Sequence, residues 1–255
     1  IMNTALTLEN LQAEFYKQGL ARFNDSAFTD AGFDVKVRNR LALISAEENA
    51  HVSYLTSAIQ KQNGKPNPPC TYKFPLEDLT KFLATAQLLE NAGTSAYLGT
   101  PANLLHLPSE LQNAIAGVTT AEARQASYLN ELWGQVGFPY PIDTALSLKQ
   151  AITIVSTYIA ECPYDIGIKP YPALTATVPE NSYTVTTNYE GKDSQNSNST
   201  YCQFLCGSKS AVSPRNNCTL PADAVGYTYV FVTSDDTPVN ATSDNDNILA
   251  GPTLL

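Results

Sequence analysis

Apolar residues recur at steps of three and four along five stretches of the first 160 residues: 4–23, 35–60, 76–97, 108–134 and 144–160. Each is long enough for a helix. Gly32, the proline-bearing run 64–70, Gly99-Thr-Pro101 and the run Gly137 to Pro141 separate them. The texture then changes. Pro163, Pro170, Pro172 and Pro179 mark a linker, and beyond it come short β-rich runs at 183–187, 201–206 and 225–233. The pattern predicts a mainly α fold with four core helices plus a fifth over 1–163, a proline-rich linker over 164–178 and a small β-rich module over 179–255. A β module of roughly 75 residues is small enough to need support from disulfides or from the helices.

The core stripes contain charges. The first helix gives Leu6, Glu9, Ala13, Tyr16, Leu20; the second gives Leu41, Ile44, Glu48, His51, Leu55. The third gives Leu79, Leu83, Ala86, Glu90, Gly93, Tyr97; the fourth gives Leu111, Ile115, Val118, Glu122, Gln125, Leu129, Leu132. Each stripe is apolar except for a glutamate, and two carry a further polar residue three positions on, Glu48-x-x-His51 and Glu122-x-x-Gln125. A glutamate in a helix stripe is ordinarily a solvated edge residue. Glu14, grouped with Asn10, Lys17 and Gln18, and Glu47, off its stripe, are read that way. Four stripes sharing the feature point instead to an inward-facing cluster.

Buried carboxylates without partners are too costly to keep ionised, and four of them repel one another. Protonation or a bound cation would relieve them. His51 alone cannot neutralise four, whereas a pair of metal ions can. The i, i+3 spacing lets Glu48 and His51 reach one ion. Oxygen donors with a single imidazole suit iron or manganese better than copper or structural zinc. This matches the plan of di-iron carboxylate bundles, with a Glu from two helices and Glu-x-x-His from two others. The expected ligands are Glu9, Glu48, His51, Glu90 and Glu122, with Gln125 a weak neutral ligand or a hydrogen-bonding partner. The second metal position is therefore expected to be the weaker, and a mononuclear or mixed site stays open. Tyr16, on the stripe of Glu9, is the candidate catalytic residue, as an electron donor or as a donor to a carboxylate.

Composition narrows the setting. The chain carries a net charge of −9 with only 15% charged residues, so a phosphate backbone is repelled and nucleic acid is a poor partner. No run of eighteen apolar residues exists, so no membrane span is expected. No basic segment followed by an apolar one starts at Ile1, so a signal peptide, if the protein has one, is expected to be already absent. Sequons begin at Asn24, Asn198, Asn217 and Asn240. The five cysteines form no C-x-x-C pair, and only His51 and His106 offer imidazole, which argues against a zinc finger. Sequons and scattered cysteines favour a secreted glycoprotein. The expected bridges are Cys70–Cys162 and one among Cys202, Cys206 and Cys218, with Cys202 and Cys218 the candidate pair. A Ser-His-Asp hydrolase lacks its elbow and has only His106 to spare. Asp244-Asn-Asp246-Asn lacks the glycine and closing glutamate of an EF-hand.

Leu6-Thr-Leu-Glu-Asn-Leu-Gln-Ala-Glu-Phe-Tyr16, Glu47-Glu-Asn-Ala-His51, Leu89-Glu-Asn-Ala-Gly-Thr-Ser-Ala-Tyr-Leu-Gly99 and Ala121-Glu-Ala-Arg-Gln125 carry a resemblance. So do Phe138-Pro-Tyr-Pro-Ile-Asp143, Cys162-Pro163 and Leu249-Ala-Gly-Pro252. The chain resembles the ferritin-like family of fungal stress-response and sexual-development proteins and of plant and bacterial desiccation-related proteins. The resemblance implies a ferritin-like up-down helix bundle and says little about the reaction. In that family the fourth motif reads Glu-Ala-Arg-His and position 12 is often Glu; this chain has Gln125 and Gln12.

The function expected is that of a secreted metalloprotein whose iron or manganese centre reacts with dioxygen or peroxide, as an oxidase, ferroxidase or detoxifying enzyme. The alternative is a non-catalytic extracellular glycoprotein in contact with cell wall or carbohydrate, its Tyr183, Tyr189, Tyr201, Tyr227 and Tyr229 stacking on sugars.

Overall fold

The computed structural model describes residues 2–100, 107–190, 199–239 and 245–255. Six helices appear among them: α1 Met2–Arg22, α2 Asp25–Asp30, α3 Val35–Lys61, α4 Leu79–Leu98, α5 Ser109–Leu132 and α6 Leu148–Ser156. Side-chain caps fix several starts. The Asp34 carboxylate accepts the Lys36 amide at 2.8 Å, the Asp78 carboxylate accepts the Lys81 amide at 2.8 Å, and Ser147 and Gln150 form a reciprocal capping box. The fifth periodic stretch is helical over 148–156 rather than 144–160, and α2 fills part of the gap between the first two expected helices. Asn24 starts that short helix, its side chain accepting the Ala27 amide at 3.1 Å.

Long-range contacts give the helix directions. Arg38 at the start of α3 donates to the carbonyls of Phe23 and Leu20, whereas His51 meets Glu9, so α1 and α3 are antiparallel. Asn91 bonds Asn130 while Gly93 abuts Glu122, so α4 and α5 are antiparallel too. Tyr16 meets Glu90 and Tyr97 meets Glu9, which makes α4 antiparallel to α1 and hence parallel to α3. A parallel pair needs a connection that runs back along the bundle. Residues 62–78 make it, passing Asn3 at one end and Phe15 further along, where Phe74 packs. At the far end Phe15, Phe23 and Phe82 interlock, and Gly19 is needed because a Cβ there would lie 2.0 Å from the Phe82 ring.

The crossover is pinned twice. Strand β1 Thr71–Tyr72 pairs antiparallel with β2 Ile159–Glu161, and Cys70 is bonded to Cys162. Beyond β2 the chain forms β3 Leu174–Thr177, β4 Thr186–Tyr189, β5 Tyr201–Cys206, β6 Lys209–Pro214, β7 Tyr229–Thr233 and β8 Ile248–Leu254. Strand β3 lies inside the stretch read as a linker, and β6 and β8 lie outside the expected β runs. An antiparallel sheet in the order β6-β5-β7-β8 has both faces covered. Leu205, Tyr229 and Phe231 pack with Ala92 of α4 and Ile154 of α6. Phe204, Val230 and Val232 pack with Leu174 and Val185. Tyr229 seals the junction, its hydroxyl 2.9 Å from the Ser95 hydroxyl of α4. Cys202 is bonded to Cys218, and Cys206 is a free, buried thiol. No helix among the described residues is long and apolar enough to cross a membrane.

The Cys70–Cys162 bridge closes a span of 92 residues, so its loss loosens the unfolded chain greatly. We expect a Cys70→Ser/Cys162→Ser variant to lose about 2–4 kcal/mol of unfolding free energy in denaturant melts. An unchanged midpoint would show that β1–β2 pairing alone holds the crossover.

Candidate metal centre

The four stripes meet as expected. Glu9, Glu48, Glu90 and Glu122 are each at most 1% exposed, and Gln12, His51, Tyr16, Tyr97 and Gln125 are buried around them. One side-chain atom from each of Glu9, Glu48, His51 and Glu122 falls in a group whose members all lie within 4.8 Å of one another. His51 Nδ1 is 3.2 Å from Glu9 Oε2, 3.3 Å from Glu122 Oε1 and 3.7 Å from Glu48 Oε1. Glu90 is the one buried carboxylate of the four that does not belong to this tight group.

Three of the carboxylates have one oxygen held by a donor. Tyr97 donates to Glu9 Oε1, Tyr16 donates to Glu90 Oε1 at 2.6 Å, and the Gln12 amide donates to Glu122 Oε2 at 3.4 Å. Glu90 Oε2, Glu122 Oε1 and both oxygens of Glu48 make no hydrogen bond, and of these only Glu122 Oε1 and Glu48 Oε1 have the ion-pair approach of His51. Gln125 donates its amide to Glu47 Oε2 at 2.7 Å, which leaves its carbonyl oxygen buried and unpartnered as well. Unpartnered buried acceptors are rare and costly. Here five occur together on facing helices. Space is kept for them: a Cβ on Gly93 would stand 2.5 Å from Glu122 Oε2. Oxygen acceptors without hydrogen bonds, gathered around one imidazole, form a donor set that fits a hard or borderline cation.

The electrostatics agree. Burial, reinforced by Glu122, Glu90 and Glu9, pushes the Glu48 carboxyl well above its ordinary value. Burial and Glu122 do the same to Glu90, against the Tyr16 bond. Burial and Glu9 carry Glu122 up to about 7, with His51 and Gln12 opposing. For His51 burial disfavours the charge, yet Glu122, Glu48 and Glu9 outweigh it and raise the imidazole to about 12. Burial, together with the adjoining carboxylates, pushes Tyr16 and Tyr97 well above the ordinary phenol range. Both hydroxyls therefore keep their protons and act as donors.

A family profile described as a ferritin-like domain matches residues 1–135. The chain belongs to the ferritin-like domain family. It is also similar to Protein rds1 of Schizosaccharomyces pombe (strain 972 / ATCC 24843), 29% identical over 210 residues. That match covers 78% of this chain and 48% of the relative, so the chain spans about half the length of the curated protein it matches. The ferritin-like bundle is thus the part that carries the carboxylate cluster, and a fungal relative fits the resemblance read from the motifs.

Other residues of interest fall as follows. Glu14 stays on the polar face, bonded to Lys17 and Gln18. Asn24 and Asn217 are exposed, whereas Asn198, Asn240, His106 and Asp244 lie outside the described residues. The tyrosine platform for sugars does not form as expected. Tyr227 and Tyr229 are buried, Arg215 lies over Tyr189, and Tyr183 is the one exposed member of the five. Three partners of the cluster escaped the sequence reading. Tyr97 stands on the third stripe with no role assigned, although its place seven residues beyond Glu90 was a signal. Gln12 stands where the resembled family often has Glu, but its contact with Glu122 was not foreseen. Glu47 is exposed and gave no signal; it matters because α3 and α5 run side by side where Gln125 can reach it.

Without metal, the folded protein holds protons on Glu122 that the unfolded chain releases between pH 4.5 and about 7, so stability falls as pH rises through that window. His51 acts in the same direction. Its contribution is full below 6.5 and fades as pH approaches about 12. Chelator-treated protein should therefore melt at a higher temperature near about pH 5 than near about pH 7.5, and Glu122→Gln should shrink the difference. A melting temperature that falls on acidification would show that the carboxylates reach water.

Proposed function

We propose that this chain is a secreted metalloprotein that holds iron or manganese among α1, α3, α4 and α5 and reacts with dioxygen or peroxide. The observation that carries the reading is the convergence of buried carboxylate and amide oxygens that outnumber the donors around them, five making no hydrogen bond and a single histidine facing three carboxylates. Glu9, Glu48, His51 and Glu122 are the strong ligand set, and Glu90 with the Gln125 carbonyl offers the weaker position. Glu48, neither of whose oxygens makes a hydrogen bond, would be a principal ligand. When bound, such an ion supplies one-electron chemistry that side chains cannot. Tyr97 orients Glu9, Gln12 orients Glu122, and Glu47 turns the Gln125 carbonyl inward. Tyr16 is the redox-active candidate, a phenol held at the cluster by its hydrogen bond to Glu90 Oε1. Two disulfides and the exposed sequon at Asn217 accord with an oxidising, extracytoplasmic setting.

Metal analysis tests the reading. Protein purified after supply of iron and manganese should carry metal near stoichiometry, and less than about a tenth of an equivalent would end the proposal. Glu48→Ala should lose most of that metal, and Glu14→Ala should retain it. Equal metal content in the two variants would show that the cluster is not the binding site.

A further inference from the structure

One cavity adjoins the cluster. It lies between all four bundle helices, lined by Ala5 and Leu8 of α1, Leu55 of α3, Ala96 and Tyr97 of α4 and Ile115 of α5. Ala5 precedes Glu9 by one helical turn and Leu55 follows His51 by one. Tyr97 and Ile115 stand about two turns from Glu90 and Glu122. The cavity is thus the next layer of the bundle, toward the start of α1. Tyr97 belongs to both layers, lining the cavity while its hydroxyl donates to Glu9.

The cavity is partly open, with Met2, Ala5 and Leu148 half-buried at its wall, and offers about 20 Å³, more than the roughly 10–15 Å³ that one water molecule needs. Water nevertheless has little to hold it there, since a buried water needs two to four polar partners. The Tyr97 hydroxyl proton is committed to Glu9, and the Thr100 hydroxyl at the rim gives its proton to the Tyr97 carbonyl at 2.8 Å. The remaining lining among the described residues is hydrocarbon or thioether side chain. Hydrogen peroxide, with two O–H donors to satisfy, is disfavoured for the same reason. Dioxygen is apolar, needs no partner and is of a size to fit.

We propose that this cavity is a dioxygen-binding station that feeds the carboxylate layer past Tyr97. What dioxygen does beyond Tyr97 rests on the metal reading above; occupancy of the cavity does not.

Xenon serves as the probe, since it occupies dry apolar cavities. Crystals of the full chain under xenon pressure should show a peak among Leu8, Leu55 and Ala96. Ala5 is only half-buried, so Ala5→Leu can fill the space at little cost to folding and should abolish the peak. No xenon in the unsubstituted protein, or an ordered water in its place, overturns the proposal. With iron(II) loaded, Ala5→Leu should oxidise several-fold more slowly under dioxygen, at unchanged metal content and with an unchanged rate under hydrogen peroxide. No slowing, or equal slowing with both oxidants, overturns delivery through the cavity. A protein that takes up xenon but no metal keeps the cavity, ends the metal reading and ends the delivery role with it.

Discussion

The structure is organised around negative charge placed in a dry interior. Four glutamates from four helices converge with one histidine, and burial raises the cost of ionising Glu48, Glu90 and Glu122. Such an arrangement persists only if something cationic offsets it, whether protons, the imidazolium or a metal ion. The surrounding side chains are chosen to this end. Tyr16, Tyr97 and Gln12 each supply one donor, which steadies a carboxylate without satisfying it. A core selected only for stability would have closed the remaining acceptors with further donors or replaced them with hydrocarbon.

Bundle geometry makes the convergence possible and is itself held from outside. Facing stripes on α1, α3, α4 and α5 meet because the parallel pair α3 and α4 is joined by a long crossover rather than a tight turn. That crossover is a liability, with few helical hydrogen bonds of its own, and it is secured by β1–β2 pairing and the Cys70–Cys162 bridge. The C-terminal sheet does the corresponding service for α4 and α6. Tyr229 and Phe231 bury against Ala92 and Ile154, and Tyr229 reaches Ser95, one turn from Asn91 and five residues beyond Glu90. Helix α4 is therefore enclosed on nearly every side, so the carboxylate it contributes has no path to splay toward water.

Much of this was legible in the sequence because helical periodicity is local. Leu41, Ile44, Glu48, His51 and Leu55 announce one buried face whatever the tertiary context. Which donor meets which carboxylate was not legible. The Tyr97–Glu9 and Gln12–Glu122 contacts span 88 and 110 residues, and helix packing sets both. The β strands were read unevenly for a physical reason. Tyr201–Cys206 and Tyr229–Thr233 are buried on both faces and read as apolar runs. Lys209–Pro214 is an exposed edge, and Ile248–Leu254 carries Gly251 and Pro252, which a central strand would not tolerate but an edge strand does. Leu174–Thr177 was hidden by the prolines that precede it.

Charge and donor strength pull the proposed centre in different directions. Fully ionised, the four glutamates would call for two divalent cations once His51 gives up its proton to become a ligand. Donor strength favours one, because the tight group supplies three carboxylates and an imidazole while the other side adds Glu90 and a neutral amide. Protons reconcile the two. Glu90, outside the tight group, is a carboxyl that burial and Glu122 push well toward the neutral form, so a single ion with a proton on the far side leaves little uncompensated charge. Gln125 fits that solution where a second histidine would not: an amide adds an acceptor without competing for protons. On this view metal and proton are alternative occupants of one acidic layer.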